Sequence, residues 1–306
     1  MNVVSRLGVR RVSKLLLYAA GCVLFQTATA PRAFADAILG TELASFAVLG
    51  ASTVTNTGAT TITGNLGVSP GTSITGAGTI TITGVIHQTD AFAGLGQSEL
   101  TTARNALSML GPGTILGADL AGLTLTPGVY TVTAGVSNLT GTLTLDGLGN
   151  ANAFWVFQMP STLITSPASV VNVINAGNGS GLYWNVGSSA TLDTTTSFEG
   201  NILALTSISL NTGATIGCGR VLADNGAVTM QGNTISTGCV GTGTEAGSNG
   251  LSGSGLALDT GGNVIDTTTG GTVAATPEPG TLVLLGSGFT WFVRKRKRQQ
   301  DLALQA

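Results

Sequence analysis

Few side chains in this sequence are equipped for acid–base or nucleophilic work. Between Asp36 and Thr276 there is one histidine, His87, no lysine, two arginines, Arg104 and Arg220, and twelve acids, a net charge of −10. Cleaving a sugar chain needs acids, or an acid and a base, converging in a groove. Asp193, Glu199 and Asp224 read instead as isolated turn and surface acids. His87 stands at the start of a helical stretch, where it caps or is solvated. No HExxH or phosphate loop occurs, and stray glycine spacings carry no weight in a chain with 46 glycines. The reading is non-enzymatic, with no cofactor and no metal. Without a basic patch, binding to nucleic acid or to anionic membrane surfaces lacks its electrostatic basis. What the chain has in quantity is threonine, whose branched Cβ restricts its rotamers and so fixes a hydroxyl and a methyl in space.

Those threonines recur with a period. Gly200-Asn201-Ile202-Leu203-Ala204 returns as Gly219-Arg220-Val221-Leu222-Ala223, and Thr215-Ile216 returns at the same offset as Thr234-Ile235. Earlier in the chain, Thr61-Ile62-Thr63-Gly64 returns as Thr81-Ile82-Thr83-Gly84 at nearly that offset. Thr142-Leu143-Thr144-Leu145 and Phe154-Trp155-Val156-Phe157 read as further strands. A period of about 20 residues, rich in β-branched residues, Gly and Asn, marks the coils of a β-solenoid, each burying its inward side chains against the next. Alternation puts Ile, Leu and Val inside and Thr outside, so one threonine per coil becomes a row with a spacing of about 4.7–4.9 Å. Trp155 and Trp184 lie in apolar strand contexts and belong to the core.

One segment breaks the strand pattern. From about 88 to 110 there is no proline and no β-branched run, and Phe92, Leu95, Ala103, Ala106, Leu107 and Leu110 recur at steps of three and four. This predicts one amphipathic helix, stopped by Gly111-Pro112-Gly113 and laid along a side of the stack. Strands resume at Leu123-Thr124-Leu125-Thr126.

Both ends carry sorting information. Residues 1–35 have a basic flank, the apolar run Leu15 to Phe25 and Ala33-Phe34-Ala35, the layout of a secretory signal peptide cleaved after Ala35. Export makes Cys218 and Cys239 a candidate disulfide, with two free thiols the alternative. Residues 240–276 are Gly, Ser, Thr and Asn with scattered aliphatics, and read as a linker.

Several stretches together resemble the microbial ice-binding (antifreeze) protein family. They are Gly64-Asn65-Leu66-Gly67-Val68-Ser69-Pro70-Gly71, Leu125-Thr126-Pro127-Gly128-Val129-Tyr130, Thr140 to Asp146, Phe157-Gln158, Tyr183 to Ser188 and Gly200 to Ala204. The resemblance covers residues 37–239 and implies one domain over 36–239. The implied fold is all-β dominated: a discontinuous right-handed β-solenoid, triangular in section, with one long α-helix alongside and the N-terminal strands inserted beside the late ones. It further implies adsorption to ice through a flat face bearing variants of T-A/G-x-T/N. Here those are Thr57-Gly58-Ala59-Thr60 and Thr212-Gly213-Ala214-Thr215, with Thr194-Thr195-Thr196-Ser197 and Gln231-Gly232-Asn233-Thr234 beside the latter. The candidate face residues are Thr57, Thr60, Thr191, Thr194, Thr196, Thr212, Thr215, Thr229 and Thr234.

The C-terminus carries a second resemblance. Pro277-Glu278-Pro279-Gly280, the apolar run Thr281 to Val293 and the basic cluster Arg294 to Arg298 are similar to a PEP-CTERM sorting signal. This implies domain 277–298 with a short transmembrane segment at 281–293, a cytoplasmic tail at 299–306 and cleavage near Pro277, Glu278 and Pro279 by an exosortase-type enzyme. The basic cluster fits the positive-inside rule. The implied partners are the ice surface, signal peptidase, the exosortase and possible exopolysaccharide. The implied route crosses the inner membrane, with a transient anchor through the C-terminal segment, to the cell surface or matrix. The competing reading is a structural or adhesive matrix protein whose threonine faces meet sugar or protein.

Overall fold

The computed structural model describes residues 36–239 except residue 136, together with 248–253, 256–258 and 264–266. The expected signal peptide and the PEP-CTERM segment lie outside the described residues, as do Ala35, Pro277, Glu278 and Pro279.

Strands pair in parallel, coil on coil, in three ladders that the chain visits in turn. The longest runs Ile86–Gln88, Asn65–Val68, Phe46–Gly50, Thr215–Ala223, Ser197–Ala204, Gly181–Val186, Phe154–Met159, Gly128–Val132 and Thr114–Leu116. The second contains Leu163–Ile164, Ala190–Leu192, Ile208–Leu210, Val228–Gln231, Thr53–Thr57 and Ser73–Thr75. The third runs Thr124–Leu125, Thr142–Asp146, Val170–Ile174, the first halves of Ser197–Ala204 and Thr215–Ala223, then Thr234–Ser236, Thr60–Thr63 and Ile80–Ile82. The repeats read from the sequence are the rungs: Ile202 pairs with Val221, Thr215 with Thr234, and Thr61 with Thr81. Chain order and stacking order differ. The strand Phe46–Gly50 pairs with Thr215–Ala223, and Thr53–Thr57 with Val228–Gln231, so the two N-terminal coils extend the stack beyond the last C-terminal coil.

Inside, Phe157 stacks on Trp184 with centroids 4.1 Å apart, and Tyr130 and Phe198 continue the column. Trp155 and Trp184 are fully buried. The middle of the longest ladder is buried on both sides, which is why Phe46–Gly50 reads as an unbroken apolar run and Gly181–Val186 is broken only by Asn185. Its outer side meets the helix.

That helix spans Ala91–Ser108, inside the expected 88–110. Asp90 caps it, accepting from the Ala93 N–H at 2.8 Å, and the His87 ring bonds Asp90 and stacks on Phe92. The capping bonds hold the Asp90 carboxyl below its ordinary range, first through the Ala93 N–H and then through His87. Ala93, Gly96, Gln97, Leu100, Ala103, Ala106 and Leu107 face the ladder. Leu95, expected in the core, is 53% exposed. Gly96 takes the inward position instead, because a Cβ there would meet the Phe46 ring at 2.9 Å. Polar bonds pin the helix along its length: Gln97 to the Ala223 carbonyl, Arg104 to the Leu203 and Val186 carbonyls, and Gln158 to the Leu107 carbonyl. Strands resume at Thr114–Leu116, earlier than expected.

The linker expectation for 240–276 is corrected in its described parts. Leu251 and Leu256 are buried, and Leu256–Leu258 pairs antiparallel with Asp36–Ala37 and Val264–Asp266. The two leucines contribute to docking it, each fully buried leucine being worth about 1.5–3 kcal/mol. Cys218 and Cys239 are joined, closing a separation of 21 residues at the edge where that segment leaves the body. Cys239→Ser is expected to lower unfolding free energy by about 2–4 kcal/mol, read from denaturant midpoints against the same protein under reductant. A null shift in both would show that the bond constrains nothing.

Candidate functional site

The second ladder presents a row of hydroxyls. Strand by strand, Thr191, Ser209, Thr229, Thr55 and Thr75 are Cα partners, with Ile164 at one end of the row. Each row member follows an inward aliphatic (Ala190, Ile208, Val228, Val54 or Ile74), and most precede another, such as Leu192, Leu210 or Met230. Strand alternation therefore fixes the outward direction of the whole row. Thr75 is exposed and the others are half-buried by their neighbours. None of the row's side-chain hydroxyls bonds within the described residues. The row has no ionisable member, and its rungs are about 4.8 Å apart.

The chain then turns a corner into the third ladder. Gly58, Gly213 and Gly232 occupy left-handed backbone there, with φ of 77°, 73° and 62°, and Thr195 takes the same conformation at 56°. This is the reason for the glycine in Thr57-Gly58-Ala59-Thr60 and Thr212-Gly213-Ala214-Thr215. Side chains lace the corner from coil to coil. Asn211 donates to Asp193 at 3.0 Å, Thr212 to Gln231 at 3.2 Å, and Asn233 to the Asn211 and Ala214 carbonyls at 2.9 Å. The Asn211 amide and then the Thr194 N–H hold the Asp193 carboxyl below its ordinary range.

The nine candidate threonines separate into four places. Thr191 and Thr229 stand in the second-ladder row, and Thr57 ends a strand of that ladder with its hydroxyl on the Met230 carbonyl. Thr194 and Thr212 lie on the corner. Thr215 and Thr234 lie past it, in the third ladder. Thr60 and Thr196 are buried, at 1% and 0% exposure, and are corrected as surface candidates. Thr60 bonds Asn56 and receives the Asn233 N–H, while Thr196 bonds Thr165. Thr60 stands one residue before Thr61, the partner of Thr234, and so points inward like Asn233, while Thr196 is the third position of its motif, buried as Ala214 and Asn233 are. Ser209, Thr55 and Thr75 were absent from the expectation. Their signal was available as a hydroxyl residue preceded by an inward aliphatic, once per coil.

Asp224 pairs with Arg104 at 2.9 Å and accepts from Thr101, fastening the helix, whereas Asp193 belongs to the corner lacing. Among the described residues no group of three or more His, Cys, Asp or Glu could hold a metal ion.

The structure thus brings together parallel ladders, a helix along one of them and an uncharged hydroxyl row on another. The family follows from comparison: the profile described as ice-binding-like matches residues 48–236, and the chain belongs to that family. It is 50% identical over 212 residues to an ice-binding protein of Nostoc sp. (strain HG1), covering 69% of this chain and 78% of that protein. It is 35% identical to an ice-binding protein of Flavobacterium frigoris (strain PS1), covering 63% and 73%. Among solved structures, an ice-binding protein from an Antarctic biological consortium superposes with a TM-score of 0.61 at 44% identity, over 65% of this chain and 90% of that one. Another from Antarctomyces psychrotrophicus gives 0.62 at 38% identity, over 66% and 98%.

Proposed function

We propose that this chain is an exported ice-binding protein, with antifreeze and ice-recrystallisation-inhibiting activity, that adsorbs through the second ladder. The observation that carries this is the unbroken, uncharged row Thr191, Ser209, Thr229, Thr55 and Thr75 in a member of this family. We read the three ladders as the sides of a right-handed solenoid of triangular section, with the helix closing one side and leaving the other two free. Thr rotamers are stiff, and parallel pairing sets their spacing along the row. The hydroxyls bond water in an ordered array while the methyls limit competing hydration. Once adsorbed, the protein forces the ice front to grow curved between neighbouring molecules, which slows growth without any chemical step.

The terminal segments give this activity a destination. A signal peptide ending at Ala35 sends the domain out, and the Pro277-Glu278-Pro279 motif with its apolar and basic followers holds it at the inner membrane until an exosortase-type enzyme releases it. The test of function is thermal hysteresis and recrystallisation inhibition on the purified chain from Asp36 onward. Shaped crystals and a hysteresis gap are expected. A folded protein without either at high concentration would reject ice binding and favour a matrix or adhesive role.

A further inference from the structure

We propose that the third ladder is a second ice-contact surface, set around the corner from the first; this rests on the ice-binding reading. Its outward row is longer than that of the second ladder. Thr142, Val170, Ser197, Thr215, Thr234, Thr61 and Thr81 are successive Cα partners through six consecutive pairings. Six of these seven carry a hydroxyl and the seventh is a valine, which keeps the methyl without the hydroxyl. No member of the row ionises. Toward the N-terminal coils the row doubles: Thr63 and Thr83 stand two positions on from Thr61 and Thr81, and all four are exposed. Strand geometry sets those pairs about 6.6 Å apart along the strand and about 4.8 Å apart across it, a two-dimensional lattice of hydroxyls and methyls.

Most of these hydroxyls are available, although Thr215 bonds the Thr196 carbonyl and Thr83 receives the Gly64 N–H. Thr61, Thr81 and Thr234 make no side-chain hydrogen bond within the described residues. Beneath them, Phe198, Ile216, Ile235 and Ile62 are buried at 1% exposure or less, so the strand floor is packed and rigid. The row lacks the aromatic, methionine and arginine side chains that protein interfaces favour, and it has no aromatic ring on which a sugar could stack. An uncharged, rigid lattice suits an ordered water surface. Each coil crosses from one ladder to the other through a left-handed corner, so the two surfaces share an edge along the stack and differ in direction. The molecule would therefore meet more than one crystal plane.

The test is the labelling pattern that dye-conjugated protein leaves on a hemisphere of single-crystal ice, using the purified chain from Asp36, a Thr61→Tyr/Thr81→Tyr variant and a Thr55→Tyr/Thr229→Tyr variant. The unsubstituted protein is expected to label more than one set of planes. The third-ladder variant should lose one set and keep the other, and the second-ladder variant should do the reverse. A third-ladder variant whose pattern and hysteresis match the parent overturns this proposal while leaving ice binding intact. An unlabelled hemisphere with the unsubstituted protein overturns the ice-binding reading itself. Circular dichroism melting checks the fold, and Thr81→Lys, a single change on the edge strand, replaces the double variant should that melt early.

Discussion

Thr229→Tyr is expected to lower thermal hysteresis several-fold, leaving only what the third ladder supplies, while the melting temperature stays in place. Thr229 is the middle of the five-residue row, between Ser209 on one rung and Thr55 on the next. Its neighbours in sequence, Val228 and Met230, are fully buried and fix which way residue 229 points. A phenol at that position projects past the plane of the flanking methyls and holds the row off a flat lattice on both sides. The loss is geometric, so it falls on adsorption and not on folding; outward substitutions away from special features usually change stability by less than about 0.5 kcal/mol. Thr102→Tyr, on the exposed side of the helix, is the matched control and should behave as the parent. Full hysteresis in a folded Thr229→Tyr protein would mean that the second ladder does not touch ice.

The row also shows what a single sequence can reveal. Coil period, helix and core tryptophans were legible because each leaves a local trace: a repeat one coil long, a switch from period two to period 3.6, an aromatic among aliphatics. The placement of 46–82 beside 219–236 was not legible from periodicity, because Val48 pairs with Val221 from the opposite end of the domain and nothing local encodes that partner. It came only through family resemblance. The face assignment failed in part for a different reason. Alternation holds within a strand, but Gly58, Thr195, Gly213 and Gly232 adopt left-handed backbone at the corners. Past the corner, Thr196 falls at the inward place that Ala214 and Asn233 hold, and the coil with Gly58 runs one residue longer, so that Thr61 and not Thr60 takes the outward place of Thr215 and Thr234. Leu95 is apolar at the right spacing, yet Phe46 leaves room only for a glycine at position 96, and that glycine takes the inward place.

The largest expected loss of stability belongs to a residue with no surface at all. Arg220 is 0% exposed and has no carboxylate partner among the described residues. Its guanidinium donates to the Ala44 carbonyl from Nε at 3.0 Å and Nη2 at 2.6 Å, and from Nη1 to Asn201 Oδ1 at 2.9 Å and the Gly250 carbonyl at 3.1 Å. Asn201 in turn donates to the Leu182 and Leu251 carbonyls, both at 3.0 Å. One side chain thus joins the start of the inserted N-terminal coils, the body of the stack and the returning C-terminal segment. Burial pushes the guanidinium down to about 10, so near neutral pH it is charged in both folded and unfolded chains.

Replacement by a hydrophobic residue of similar length removes the desolvated charge but strands three acceptors, two of them backbone carbonyls that no mutation can delete. Each buried acceptor left unpaired costs about 1–3 kcal/mol, which outweighs the relief of losing the charge. Arg220→Met is therefore expected to destabilise by about 3 kcal/mol or more, a fall of roughly 10 °C in Tm for a domain of this size. Because the folded pKa lies below the unfolded one, stability contributed by this group changes only as pH rises through about 10, where the unfolded chain holds more protons. The deficit of Arg220→Met should accordingly be constant from about pH 6 to 8. Arg220→Lys, with one point donor in place of a planar fork, should fall between the two. The C-terminal strand should loosen first, seen as faster amide exchange at Leu251 and Leu256 before the stack opens. A melting curve for Arg220→Met that overlays the parent would show that the three segments are held together by packing alone.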